Sequence, residues 1–166
     1  MAAVTTAKGR GDGRPKHAEL RVIRPEDRAP EMASGPMLRQ AAISTGLVGA
    51  NKIWVGFVEL GPGMRSAVHH HGEAESAIYI ISGQARFLTG DQLEVSLDAE
   101  PGDFVWVPPH VVHVEMNRSD TASIRMVVAR STQETLVFNL PATDGERHQL
   151  ASSDLTGQSA LTNQNL

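Results

Sequence analysis

The sequence predicts an all-β fold, a small antiparallel barrel or sandwich. About ten short runs rich in Val, Ile and Leu alternate with Gly, Pro, Asn and Asp at close spacing, which is typical of short antiparallel strands. No stretch shows a convincing helical period. The chain has 166 residues, of which 40% are hydrophobic, and this is enough for one domain with one core.

Turn signals separate the expected strands along the chain. Gly61-Pro62-Gly63, Ser82-Gly83 and Gly90-Asp91 are typical of tight turns. Residues 24–27 contain a proline suited to a first helical position and favour one short helical turn. Residues 45–51 are expected to form a hairpin loop. The expected strands span residues 19–24, 37–44, 52–60, 77–81, 84–89, 92–97, 103–107, 111–116, 122–130 and 136–138.

The two ends of the chain are expected to lie outside the barrel. Residues 1–17 are small, basic and glycine-rich, which is typical of a disordered segment. Residues 141–166 are polar and end in a stretch rich in Ser, Thr, Asn and Gln, which favours disorder or an arm on a partner subunit. The barrel is therefore expected to span residues 18–140.

The composition narrows the classes of function. The net charge is −4, and no basic patch indicates a nucleic-acid partner. Cysteine is absent, which excludes disulfides and thiolate metal ligands and favours an intracellular protein. No apolar run resembles a signal peptide or approaches the length of a membrane span. We therefore expect a cytoplasmic protein without a membrane or nucleic-acid partner.

Residues with metal-binding chemistry are concentrated between positions 69 and 75. Three consecutive histidines are followed there by two carboxylates, Glu73 and Glu75. Successive side chains of a strand point to opposite faces, so His69 and His71 share one face. Two imidazoles on one face with a carboxylate a few residues on are typical of metal ligation. Glu75 is the stronger candidate for that carboxylate, and Glu73 is the weaker.

A third imidazole, His113, follows a strand and a tight turn at residues 102–113. At this point the sequence resembles a cupin over roughly residues 50–130. The first cupin motif is Gly, five residues, His-x-His, three or four residues, Glu, six residues and Gly. The second is Gly, five residues, Pro-x-Gly, two residues, His, three residues and Asn. The matching residues are Gly63, His69, His71, Glu75 and Gly83 in the first motif, and Gly102, Pro108, His113 and Asn117 in the second.

Two positions depart from these motifs. One residue too many separates Glu75 from Gly83. Counting forward from His71 selects Glu75 as the carboxylate, whereas counting back from Gly83 selects Ser76. Either a β-bulge absorbs the extra residue, or the carboxylate is absent and the site consists of three histidines and a water. In the second motif, His110 replaces the usual glycine.

The resemblance implies a single cupin-type antiparallel β-barrel, also called a double-stranded β-helix or jelly roll, with one divalent metal ion inside. Three histidines and a carboxylate suit Fe, Mn, Co or Ni, whereas three histidines and a water suit Zn. His70 and His110 are expected to be exposed and not to be ligands. Cupins commonly dimerise, so a homodimer is expected. The expected metal ligands are His69, His71, Glu75 and His113.

Three further residues are candidates for catalysis. Glu115 stands two residues after His113 on the same strand face, and a carboxylate facing a barrel interior is costly unless it is paired or functional. Arg125, on a neighbouring expected strand, is a candidate partner of Glu115 or an anchor for an anion. Tyr79 is a candidate for orienting substrate through its hydroxyl, and core packing is the alternative.

The resemblance leaves the reaction open. We expect a metal-dependent enzyme acting on a small polar organic molecule. It is either an O₂-dependent dioxygenase or a non-redox zinc lyase, isomerase, cyclase or N–N bond-forming biosynthetic enzyme. The alternative from another class is a non-catalytic ligand-binding or sensory cupin. A free acid–base group such as Glu115 beside the metal favours the enzyme, and a cavity without one favours the binding protein.

Overall fold

Two antiparallel β-sheets make up the fold in the computed structural model, which describes residues 20–134 and 137–159. One sheet has six strands in the order β1-β2-β3-β10-β5-β8, and the other has five in the order β11-β4-β9-β6-β7. The expectation of an all-β fold is confirmed. The strands are β1 (Ala29–Pro30), β2 (Leu38–Ile43), β3 (Trp54–Leu60), β4 (His69–His70), β5 (Ser76–Ser82), β6 (Ala85–Thr89), β7 (Val95–Ala99), β8 (Phe104–Val107), β9 (His113–Asn117), β10 (Ile124–Arg130) and β11 (Phe138–Asn139).

The long strands alternate between buried and exposed residues, and this alternation defines the core. In β5, β3 and β10 every second residue is buried. The intervening residues face outward, since successive side chains of a strand point to opposite sides. Each fully buried aliphatic side chain stabilises the folded state by about 1.5–3 kcal/mol relative to an exposed one. The buried residues of these three strands include Trp54, Val58, Leu60, Ile78, Ile80, Ile124, Met126 and Val128.

A β-bulge absorbs the extra residue between Glu75 and Gly83. Arg125 of β10 is opposite Ser82, and the next residue, Met126, is opposite Ile80. Ile81 therefore has no partner of its own, which is the signature of one inserted residue. The bulge lies near the end of β5, so the residues before it keep the strand's alternation.

Two short helical segments lie before β3 in the described part of the chain. The helical turn expected at residues 24–27 forms as a 3₁₀ helix, Pro25–Asp27. Residues 20–24 form no strand, contrary to expectation. The expected hairpin loop after β2 contains a one-turn helix, α1 (Thr45–Val48), because the Ser44 hydroxyl caps it by accepting a hydrogen bond from the Leu47 backbone N–H.

The second helix, α2 (Asp144–Ser159), corrects the expectation that the polar tail has no helix. Thr143 and Glu146 cap it reciprocally. The Thr143 N–H donates to Oε2 of Glu146 at 2.6 Å, and the Glu146 N–H donates to Oγ1 of Thr143 at 3.2 Å. Leu150 is buried in a second hydrophobic cluster, separate from the one described above. This cluster also contains Leu88 and Val114. None of the described helices is both long and apolar enough to cross a membrane. Residues 1–17 and 160–166 lie outside the described residues.

Candidate metal centre

Three histidines and one glutamate meet on the inner side of the five-stranded sheet. Their ligand atoms all lie within 4.8 Å of one another, and all four residues are at most 4% exposed. Antiparallel pairing of β4 with β9 places His69 directly opposite His113. His71 follows two residues after His69, and Glu115 follows two residues after His113, so both keep the inward direction. The four residues are His69, His71, His113 and Glu115.

Backbone carbonyls orient two of the imidazoles. Nδ1 of His69 lies 2.9 Å from the carbonyl oxygen of Ala67, and Nδ1 of His113 lies 2.9 Å from that of Val111. A carbonyl only accepts hydrogen bonds, so each Nδ1 carries a proton, and in the neutral ring each Nε2 presents a lone pair. The Nε2 atoms lie 3.7 Å (His69) and 3.6 Å (His113) from the carboxylate oxygens of Glu115. These distances are too long for hydrogen bonds but suit two ligands of one ion.

Two of the ligand atoms are buried without a hydrogen-bond partner among the described residues. They are Nε2 of His113 and Oε2 of Glu115. Buried polar atoms are almost always hydrogen-bonded, so unpartnered ones need an explanation. A divalent cation would satisfy both atoms at once. The donor set therefore fits a metal ion.

The surroundings shift the pKa values of three of these side chains, Glu115, His69 and His113. Burial by itself would raise the pKa of the Glu115 carboxyl, but His69, His113 and a hydrogen bond from Ser66 hold that pKa well below its usual range. Burial lowers the pKa of His69 and so favours its neutral form. Burial acts in the same direction on His113, but Glu115 outweighs it and raises the pKa of that imidazole. A cation binds an ionised carboxylate and uncharged imidazoles, so metal binding would displace the proton that Glu115 favours on His113.

The family model of the cupin domain matches residues 56–130, which contain all four of these residues. Residues 56–130 are therefore a cupin domain.

Solved structures of cupin type resemble this one over most of the chain. The polyketide cyclase RemF from Streptomyces resistomycificus is 19% identical with a TM-score of 0.64, covering 84% of this chain and 98% of that one. A conserved protein with a double-stranded beta-helix domain from Klebsiella pneumoniae is 20% identical with a TM-score of 0.58. The match covers 74% of this chain and 99% of that one. A variant of Bacillus subtilis oxalate decarboxylase is 22% identical with a TM-score of 0.59, covering 69% of this chain and 30% of that one. A comparison with curated proteins found no match. These likenesses confirm the cupin-type antiparallel barrel.

Glu75, the expected fourth ligand, does not reach the metal centre of the cupin domain. Its side chain is exposed, whereas the next residue, Ser76, is buried on the inward face of β5. A turn closed by the hydrogen bond from the Ala74 N–H to the His71 carbonyl separates the histidines from β5. The alternation that begins in β4 therefore does not continue to Glu75. The expectation is corrected: the carboxylate at the histidines is that of Glu115.

Tyr79 and Arg125 also lie away from the cavity of the cupin domain. Tyr79 is 36% exposed, and its ring contacts that of Phe104 at 4.8 Å. Arg125 is exposed, and its Nε lies 3.3 Å from Oε2 of Glu59 rather than near Glu115. Both residues occupy outward positions of strands whose alternate residues are buried. The structure thus corrects the expected inward placement of both.

His70 and His110, which lie close to the three histidines in sequence, are not part of the candidate metal centre. His110 adopts a left-handed backbone conformation with φ of 61°, which explains why cupins favour glycine there. Its exposed ring lies 2.9 Å from Oε1 of Glu73. His70 is half-buried rather than exposed, because its ring stacks on Phe138 at 4.9 Å.

The cavity beside the metal centre contains two arginines that the sequence analysis missed. Arg39 and Arg130 line it together with His69, His71 and Glu115. Both are 5% exposed. A signal was present for Arg130, since it shares the inward alternation of the apolar residues of β10.

Proposed function

We propose that this cupin domain belongs to a metal-dependent enzyme that acts on a small polar organic molecule. The observation that carries the proposal is the buried set of three imidazoles and one carboxylate with unpartnered ligand atoms. When bound, a divalent ion supplies Lewis-acid or redox chemistry to a substrate atom. The homodimer and the cytoplasmic location remain predictions. The proposed ligands are His69, His71, Glu115 and His113.

The donor set favours Fe, Mn, Co or Ni over Zn. Three imidazoles and a carboxylate leave positions open on an octahedral ion, where a substrate atom binds. The zinc alternative was a site of three histidines and a water, without a carboxylate. Glu115 now supplies that carboxylate, so its proposed role changes from handling protons to holding the ion.

The chain's own residues orient the proposed ligands and surround them with apolar side chains. The carbonyls of Ala67 and Val111 prevent the rings of His69 and His113 from rotating. Much of the remaining cavity wall is apolar, which strengthens every electrostatic interaction inside it. The apolar lining residues include Met37, Val58, Ile78, Met126, Val128 and Val137.

A binding protein without turnover is the second candidate. Among the described residues that line the cavity, Glu115 is the only carboxylate, and it faces two histidine nitrogens. The cavity therefore offers no separate carboxylate for proton transfer. The similar structures named as a polyketide cyclase and an oxalate decarboxylase support the enzyme.

Reconstitution separates the two candidates. The protein is purified without an affinity tag, its metal content is measured, and metal-free protein is reloaded with each of Mn, Fe, Co, Ni and Zn. Each form is incubated with a panel of small polar molecules, with and without oxygen, and products are followed by NMR. Turnover that requires metal supports the enzyme, and a requirement for oxygen identifies a dioxygenase.

The control is His71→Ala, which lacks one proposed ligand. Saturable binding without any product supports the binding protein instead. Equal metal content in the wild-type protein and in His71→Ala contradicts both versions of the metal site.

A further inference from the structure

Arg39 and Arg130 bring two buried positive charges to the same cavity as the metal centre. Arg39 lies on β2 and Arg130 at the end of β10, so two separate strands place them there. Both line the cavity with His69 and Glu115. Arginine is rarely buried unless it is paired, so this placement needs a reason.

The guanidinium groups are incompletely hydrogen-bonded. Nε of Arg39, and both Nε and Nη1 of Arg130, are buried without a partner among the described residues. The other contacts of Arg39 are long: Nη1 lies 3.5 Å from the Met32 carbonyl and Nη2 lies 3.5 Å from Oε2 of Glu31. Buried N–H groups without acceptors are costly, and they indicate that an acceptor is missing.

A rigid aromatic ring supports the pair. The guanidinium of Arg39 lies 4.0 Å from the centre of the Trp54 ring, and that of Arg130 lies 5.6 Å from it. The indole N–H of Trp54 donates to Oε1 of Glu31 at 3.1 Å. Gly56 leaves room for the ring, because a Cβ at that position would overlap it. The two cations are therefore held in place before any ligand arrives.

The local charges do not balance once a divalent cation is present. Among the described residues, the carboxylates of Glu31 and Glu115 interact with Arg39 and Arg130. The two negative charges balance the two positive ones. A divalent ion then leaves two positive charges in excess in a buried site.

We propose that Arg39 and Arg130 form an anion subsite beside the metal centre and that the substrate is a small organic carboxylate. This inference rests on the proposed function, since it concerns the same cavity. The planar fork of a guanidinium matches the two oxygens of a carboxylate. The cavity is about 30 Å³, so the ligand is small. Its apolar wall, which includes Met126 and Val128, suits a short aliphatic part.

The test compares propionate with propionamide, which has the same shape but no charge. Both are titrated calorimetrically into metal-loaded protein. Arg39→Gln and Arg130→Gln are each expected to weaken propionate binding by about tenfold or more, because each removes charged hydrogen bonds. Propionamide binding is expected to stay the same. The wild-type protein is expected to prefer propionate, and an absence of that preference overturns the inference.

Arg125→Gln is the matched control. Arg125 lies on the same strand as Arg130, but it is exposed and paired with Glu59. Its replacement is expected to leave propionate affinity unchanged. Should Arg130→Gln fail to fold, Arg130→Lys replaces it, since a lysine keeps the charge but loses the planar fork. Propionate affinity equal to that of the wild-type protein in both Arg39→Gln and the folded Arg130 variant overturns the inference.

Metal analysis of every variant separates this inference from the proposed function. Arginine variants that keep the metal but lose propionate support the subsite. Wild-type protein that binds no metal contradicts the proposed function alone. In that case the melting temperature of the metal-free protein is measured with and without propionate. A rise in melting temperature that is lost in Arg130→Gln but kept in Arg125→Gln supports the subsite. The absence of such a rise in the wild-type protein overturns the inference.

Discussion

The two cupin motifs place their carboxylates differently in this protein. In the first motif, Glu75 follows His71 by four residues and is exposed. In the second, Glu115 follows His113 by two residues and is buried beside the histidines. His113 and Glu115 belong to one uninterrupted strand, whereas a turn separates His71 from β5.

This difference shows how far alternation along a strand can be extrapolated. Within β9 the alternation of faces holds, and it directs Glu115 to the same side as His113. The turn after His71 interrupts this alternation, so that Ser76 rather than Glu75 takes the inward position. The cluster that could hold a metal ion therefore combines two histidines of the first motif with a histidine and a carboxylate of the second.

The largest expected effect tests whether the two motifs contribute equally. His71→Ala and His113→Ala are each expected to reduce metal affinity by more than about 100-fold, because even the loss of an outer-shell partner costs about 10–100-fold. Metal content and competition with a chelator measure this, and circular dichroism checks that the variants fold. Full occupancy in either variant would remove that residue from the site.

Removal of the metal tests whether the ion joins the two motifs in the folded state. A ligand at 100 times its dissociation constant stabilises the folded state by about 2.7 kcal/mol. Chelation is therefore expected to lower the free energy of unfolding of the wild-type protein by about that amount, as measured by urea denaturation. His71→Ala should show no such decrease, and an equal decrease in both proteins would mean that the ion acts elsewhere.

Replacing each carboxylate in turn tests the comparison directly. Glu115→Gln is expected to weaken metal binding by about tenfold or more, since it removes a charged ligand. Glu75→Gln is expected to leave metal binding unchanged, because its side chain is exposed and outside the cluster. The metal affinities of the two variants, measured side by side, show which of the two carboxylates binds the metal. A reversed order would return Glu75 to the site.

The smallest effect concerns the outward face of β5. Tyr79→Phe is expected to change the free energy of unfolding by less than about 0.5 kcal/mol, as surface substitutions usually do. Its hydroxyl is not needed by the metal centre, since the ring packs against Phe104 on the outside. Thermal unfolding and metal content measure both expectations. A loss of metal in this variant would show that β5 is oriented differently.

Sequence reasoning succeeded where the pattern is local to one element. Close turn signals and alternating apolar residues predicted the strands, and the spacing of His69 and His71 predicted their common face. The extra residue before Gly83 suggested a bulge, and the register of β5 against β10 confirms one. The helix in the polar tail was not predicted, because the capping pair Thr143 and Glu146 stabilises α2 without a strong apolar pattern.

By itself, then, the sequence determined the all-β class, most of the strand positions and the three histidines. Only the tertiary structure decided which carboxylate joins them and which arginines, Arg39 and Arg130, share their cavity. The reason is physical: the direction of a side chain follows from alternation only within one strand. Which strands come together, and at what register, depends on packing across both sheets, and no local pattern encodes it.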